Sequence, residues 1–211
     1  IEVVRWFAAS GHEVTGIDRD ELDLCVPDDI LPYIESCCAD RIINCAAYTH
    51  VDRAESEPEQ AYAVNRDAAG AIAEGAKRCG AGLIHVSTDF VFGGGRSTPY
   101  PDSASGDALG VYGRSKWEGE QRVRSIYPEA VVLRTAWVYG CYGSNFVKTM
   151  LGLMSKREEI KVVDDQVGAP TWTYDIAIAM DALIKRNGSG TYNFTNEGVA
   201  SWYDLAVATR E

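Results

Sequence analysis

At 211 residues, 46% of them hydrophobic and 24% charged, the chain is long enough to bury a sizeable core and has a globular composition. Its net charge of −11 argues against a nucleic-acid backbone as partner. No apolar run reaches membrane-spanning length and no signal-peptide pattern opens the chain, so neither a membrane nor export is expected.

Taken in order, residues 1–10 carry apolar side chains at helical spacing, and Gly11 stops the helix. Glu13 to Asp18 reads as a short strand ending in an acid. A helical pattern from about Asp28 to Cys38 precedes a buried-type strand, Arg41 to Ala47. A longer helix follows from about Pro58 to Cys79, ended by Gly80, and Gly82 to Ser87 is another strand. After a loop rich in glycine, serine and proline (Gly93 to Gly110) come a helix containing Tyr112 and a strand from Ala130 to Thr135.

Strands alternating with helices of this length predict an α/β fold, a Rossmann-like doubly wound parallel sheet. Right-handed crossovers place the strand C-terminal ends along one rim, where ligands of such sheets bind. Asp18, Ala46-Ala47, Ser87-Thr88-Asp89 and Trp137 all follow expected strand ends and should converge there. Beyond residue 140 the pattern loosens: a helix (Asn145 to Met154), a short strand (Ile160 to Val163), a loop with Gly168 and Pro170, a helix (Tyr174 to Lys185), a strand (Thr191 to Phe194), and a last helix with Ser201 as N-cap. The expected division is a dinucleotide-binding domain over 1–140 and a smaller substrate-binding lobe over 141–211, with some of the latter's elements returning to the main sheet.

Tyr112 and Lys116 stand four residues apart at the head of a helix, so phenol and ammonium share one face. A nearby cation favours phenolate, which would bring a group of pKa about 10 toward useful acid-base chemistry. Thr88, just past a buried strand, can present its hydroxyl at the rim or simply form a turn. Asp18 can accept hydrogen bonds from an adenosine ribose, or can cap a turn. Arg19 can pair with a 2′-phosphate or stay solvated, and Asp23-Leu24 is ambiguous in the same way. The glycine-rich turn that would cradle a pyrophosphate belongs just before the first helix, and the chain opens inside that helix. It also ends at Glu211 within a helical pattern without a stop signal, so a chain cut at both ends is expected. His12, His50 and His85 show no ligand spacing, Ser115 has no triad signature, and no metal is called for. The six cysteines (Cys25, Cys37, Cys38, Cys45, Cys79 and Cys141) read as reduced thiols in a cytoplasmic protein.

Together these residues resemble the extended short-chain dehydrogenase/reductase family and, within it, the dTDP-4-dehydrorhamnose reductases. The resemblance runs through Asn44-Cys-Ala-Ala-Tyr-Thr-His-Val-Asp-Arg-Ala-Glu-Ser-Glu-Pro58, Val86-Ser-Thr-Asp-Phe-Val-Phe92 and Val111-Tyr-Gly-Arg-Ser-Lys116. It continues through Arg134-Thr-Ala-Trp-Val-Tyr-Gly140, Asn145-Phe-Val-Lys-Thr-Met-Leu151, Val163-Asp-Asp-Gln-Val-Gly-Ala-Pro-Thr171 and Ser201-Trp-Tyr203. It implies Tyr112 as proton donor, Lys116 as the residue that lowers its pKa and holds the nicotinamide ribose, and Thr88 as the residue orienting a sugar carbonyl. It also implies Asp89 and Trp137 in the sugar site. Asp18, Arg19, Asp23, Leu24, Ala46, Ala47 and Thr49, together with Tyr112 and Lys116, would contact NADPH or NADH. The implied partner is a nucleotide sugar, and a homodimer is compatible with the family.

Two other functions fit the same fold: a non-catalytic cofactor-binding subunit related to that of methionine adenosyltransferase, and a nucleotide-sugar epimerase. Besides the absent glycine fingerprint, two residues depart from the reductase pattern. Phe90 stands where a tyrosine is common, and Gly110 replaces the usual asparagine, which predicts a more mobile loop.

Overall fold

The computed structural model describes residues 1–210; Glu211, part of the helical pattern noted above, lies outside the described residues. The described chain divides into two compact units. One comprises Ile17–Arg134 with Asn187–Asn193, the other Ile1–Gly16, Thr135–Arg186 and the chain from Phe194 onward.

The first unit is built on a four-stranded sheet of β1 (Arg41–Asn44), β2 (Gly82–Thr88), β3 (Val131–Thr135) and a late strand, Gly190–Asn193, in that spatial order. β1 runs parallel to β2, with Arg41 opposite Gly82 and Asn44 opposite His85, and β3 runs parallel to the late strand. β3 is buried along its whole length, as expected of a strand covered on both faces. Helices α2 (Pro27–Cys37), α5 (Ala68–Cys79) and α6 (Val111–Ile126) contribute Ile30, Ile34, Ile72, Ala76 and Val123 to a core shared with Leu83 of β2 and Val132 of β3. Pro27 starts α2 without losing a needed N–H, and Asp28 and Asp29 complement its dipole. Gly80, at φ +68°, ends α5 in the left-handed conformation, with the Ala81 N–H donating to the Ala76 carbonyl at 2.9 Å.

Two expectations in this part of the chain need correction, and a third needs refinement. Glu13–Asp18 forms no strand among the described residues; an acid-ended apolar pattern describes a strand only where another strand supplies its ladder. β1 stops at Asn44, not Ala47, because the Asn44 side chain accepts from the Ala46 N–H at 3.1 Å and turns the chain. The helix expected over 58–79 is present as one continuous helical run, with a π-helical turn inside it. Short helices α3 (Val51–Ala54) and α4 (Pro58–Tyr62) lead into a π-helical turn, Ala63–Asp67, before α5 begins.

In the second unit α1 (Glu2–Ala9) lies against α8 (Thr173–Lys185), with the Trp6 indole donating to Asp181 and its ring edge-on to Tyr174. β4 (Val138–Tyr139) pairs with β6 (Thr171–Trp172), and β5 (Val167–Gly168) pairs with β8 (Ala200–Ser201); the late strand of the main sheet is β7. The expected strand at 160–163 is a loop, and β5 and β6 lie instead around Pro170. α7 (Phe146–Met154) packs on α9 (Trp202–Arg210). Ser201 caps α9 as expected: its Oγ accepts from the Asp204 N–H while the Asp204 carboxylate accepts from the Ser201 N–H. No helix among the described residues is long and apolar enough to cross a membrane.

A methyl group at Gly119, on α6, would collide with the Asn65 carbonyl oxygen of the π-helical turn. Both partners are backbone, so neither can swing aside. Gly119→Ala is expected to cost about 2–3 kcal/mol, a Tm lower by roughly 4–12 °C for a chain of this size. An unchanged melting temperature would show that the two helices are not held at this separation.

Candidate active site

Because β1 and β2 are adjacent and parallel, the turn Ala46-Ala47 and the pair Thr88-Asp89 leave the sheet from the same rim. α6 brings Tyr112 and Lys116 to that rim on one face. Thr88 caps the 3-10 turn Asp89–Val91, its Oγ1 accepting from the Phe90 N–H at 3.2 Å and donating to Asp89 at 3.1 Å. The Tyr112 phenol lies close enough to this side chain for the Thr88 hydroxyl to pull its pKa down. Phe90, in the place where a tyrosine was expected, sets its ring edge-on to Tyr112 with centroids 5.4 Å apart.

Lys116 is 2% exposed, and its Nζ donates to the Val86 carbonyl at 2.7 Å. Burial lowers its pKa to about 8, against the opposing pull of the Glu120 carboxylate and Cys45. Tyr112 departs from the expectation of a lowered pKa. Burial raises it, Asp89 adds to the rise, and the Thr88 hydroxyl only partly offsets them. The Lys116 Nζ is directed to the Val86 carbonyl, and the shift of the phenol comes from burial, Thr88 and Asp89. Burial likewise raises Asp89, with its hydrogen bond from Thr88 opposing.

The other expected cofactor residues fall into two groups. Ala46, Ala47 and Thr49 flank Tyr48, whose N–H and carbonyl are both held by the buried Asn65 side chain, at 2.9 and 3.1 Å. The Asn65 amide also donates to Ser115 Oγ at 2.9 Å, tying this turn to α6. Asp18, Arg19, Asp23 and Leu24 lie on a separate turn. Asp18 accepts from the Asp20 N–H at 2.9 Å, and Arg19 pairs with Asp23 at 3.1 Å on the surface. The Cys25 N–H holds the Asp23 carboxyl below its usual range. Leu24 packs on the core. Trp137 belongs to the second unit, where its indole stacks on Trp202 at 3.6 Å.

Sequence reasoning missed a buried cluster behind the site. Glu120, fully buried, accepts from Arg134 at 3.0 and 2.7 Å and from Ser87 Oγ at 2.5 Å. The signal was available: Glu120 lies one turn beyond Lys116 on the same helix face, and Arg134 is a charge inside an otherwise apolar strand. It also missed Asn65. The donor set fits a dinucleotide. The Lys116 ammonium carries three N–H donors and uses one on Val86, leaving the others for ribose hydroxyls.

The family profile described as the RmlD substrate binding domain matches residues 1–211. A dTDP-4-dehydrorhamnose reductase from Aggregatibacter actinomycetemcomitans is 43% identical over 93% of this chain and 69% of its own length. One from Mycolicibacterium smegmatis is 44% identical over 97% of this chain and 63% of its own length, so the chain spans about two thirds of these relatives. A solved dTDP-4-dehydrorhamnose reductase from Bacillus anthracis, in complex with NADP, superimposes with a TM-score of 0.94 at 36% identity, covering 99% of this chain and 74% of that one.

The lowered Lys116 pKa carries a stability signature. Between about pH 8 and the ordinary value of 10.5 the folded protein binds fewer protons at this group than the unfolded chain does. The penalty for burying the ammonium is therefore complete below pH 8 and is relieved as pH rises toward 10.5. The stability of the native protein relative to Lys116→Met is expected to grow across that window by an amount on the order of a few kcal/mol. Denaturant melts of the two proteins from pH 7 to 10.5 read it, and a difference that stays flat with pH would refute it.

Proposed function

The chain belongs to the family of the RmlD substrate binding domain, and from that membership we propose that it reduces the 4-keto group of dTDP-4-dehydro-L-rhamnose to give dTDP-L-rhamnose. The observation that carries this reading is the arrangement of Thr88, Tyr112 and Lys116: a hydroxyl at the end of β2 whose influence reaches the phenol, and a buried ammonium one helical turn away on the same face. Bound NADPH or NADH would supply the hydride. Tyr112 holds the proton destined for the carbonyl oxygen. Its raised pKa keeps it protonated at neutral pH, which is the form a reduction consumes. The Thr88 hydroxyl orients that carbonyl, and Lys116 binds the nicotinamide ribose. Ala46, Ala47 and Thr49 line the cofactor at the rim, with Asp18, Arg19, Asp23 and Leu24 toward the adenosine end. Asp89 contacts the sugar from the first unit.

Six free cysteines fit a cytoplasmic location. A homodimer is the assembly we propose, to be read by sedimentation of the purified protein.

The test is NAD(P)H oxidation by the purified full chain with dTDP-4-dehydro-L-rhamnose. Tyr112→Phe keeps the ring and removes the transferable proton, so kcat is expected to fall about 10²–10⁴-fold with little change in cofactor affinity. Thr88→Val removes one orienting hydrogen bond and should cost less. A Tyr112→Phe protein with native turnover, where chemistry limits the rate, would exclude the tyrosine as proton source. Tight cofactor binding without any oxidation would put the regulatory-subunit reading ahead.

A further inference from the structure

Helix α6 opens on a residue that cannot cap it. Gly110 occupies the N-cap position with no side chain, at φ −96° and ψ 170°, an extended backbone that serine or asparagine adopts freely at an N-cap. The first N–H groups of a helix have no partner inside it. The acceptor for the Val111 N–H comes instead from far back in the chain: Glu55 Oε1, at 2.7 Å. A Cβ on Gly110 would stand 2.8 Å from that same oxygen. A side chain at 110 would have to push the end of Glu55 aside, so glycine leaves the carboxylate its place, while the backbone angle itself is ordinary.

Glu55 is itself well placed to act as a fixed point. It follows α3 directly, as that helix's C-cap. Two residues on, Glu57 accepts from the Tyr48 hydroxyl at 2.7 Å and from Arg53 at 2.7 Å. Tyr48, Ala54 and Ala61 form a small buried cluster against which Val111 and Tyr112 pack. The carboxylate thus fastens the start of α6 to the segment that follows β1. Val111, whose N–H it holds, immediately precedes Tyr112.

We propose that Glu55 is a positioning residue for the reduction: its carboxylate replaces the cap that Gly110 lacks and holds the first turn of α6, and with it the Tyr112 hydroxyl, in register with Thr88. This rests on the reading of Tyr112 as proton donor. The pairing of a small residue at 110 with an acid at 55 is one device, so the two positions should be coupled.

The experiment compares the native full chain with Glu55→Ala, Glu55→Gln, Gly110→Ser and the double variant Glu55→Ala/Gly110→Ser. Three quantities are read: hydrogen exchange at the Val111 amide, Tm, and steady-state kinetics with NADPH and dTDP-4-dehydro-L-rhamnose. Glu55→Ala is expected to speed Val111 exchange by about tenfold and to lower kcat by about fivefold, the rate equivalent of one lost cap, with KM for the cofactor changed less than twofold. Glu55→Gln keeps an acceptor oxygen and should retain most of kcat. In the double variant the missing carboxylate leaves room for the serine, whose Oγ can accept from the third N–H of the helix, and kcat should return to within about twofold of native. A role limited to fold stability would lower Tm, leave the kcat of the folded enzyme intact and show no rescue; that result overturns the proposal. So would native Val111 exchange in Glu55→Ala. Absence of turnover in the native chain would fail the reductase reading, and the Val111 exchange and Tm arms would then decide the cap by themselves.

Discussion

The site depends on how α6 is rotated about its axis against β2 and β3, and a buried ion pair sets that rotation. Tyr112, Lys116 and Glu120 lie at successive four-residue steps, a single stripe along the helix. Glu120 takes a two-point hydrogen bond from Arg134 of β3 and a third bond from Ser87 of β2. Turning the helix by one residue would break all three and carry the other two side chains off the rim. Removing one member of such a pair leaves a buried charge without a partner, a cost of about 3–5 kcal/mol, whereas exchanging both for well-packed apolar residues is often neutral. On that ground the value of the pair here lies in orientation more than in net stability. Arg134 is further enclosed by the faces of Phe92 and Trp117, so its guanidinium has no alternative partner to swing toward.

The same burial that fixes the helix divides the proton chemistry between two side chains. Dehydration acts against whichever form is charged, so it raises the tyrosine and lowers the lysine. Glu120 pulls Lys116 upward, but its charge is already shared with Arg134, and burial prevails. Both groups are left protonated at neutral pH: one is a neutral donor, the other a cation whose single protein acceptor is a backbone carbonyl. The expected route, an ammonium depressing its neighbour's pKa, requires the cation to face the phenol. In this state it faces Val86.

What the sequence revealed and what it hid separate along one physical line. Local periodicity and capping chemistry located α2 to within a residue at each end, the end of α5 and the start of α9, because signals such as Gly80 and Ser201 act on their own segments. The pair Tyr112 and Lys116 was legible for the same reason: four residues on a helix define a common face. Long-range partners were not legible. Glu13–Asp18 has strand-like alternation but no ladder, and alternation cannot show whether a partner exists. The π-helical turn at Ala63–Asp67 was invisible because its cause lies elsewhere, in Asn65 reaching back to Tyr48 and across to Ser115. Glu120 drew no reading at all, because the partner that gives it a role, Arg134, lies 14 residues away. Gly110 read as a source of mobility. Its neighbour Glu55, distant in sequence, makes it a fitted position.

Trp137 shows how the second unit holds a residue in a conformation its chemistry disfavours. Its φ of +47° is one of few positive values at a non-glycine residue. For a bulky side chain such a backbone costs on the order of 1–2 kcal/mol, and it persists only where the surroundings over-determine it. Here three constraints act on one residue. Its indole stacks on Trp202, which Phe146 and the Gln166 side chain hold from other directions. Gly168 comes so close that a methyl there would enter the ring. The Trp137 carbonyl accepts from the Thr171 N–H at the edge of β6. Each of these partners lies in a segment shared with the reductase pattern, and none of them would need the strained backbone simply to fill a core. A relaxed Trp137 would aim its ring elsewhere, so the strain is the cost of a fixed aromatic face.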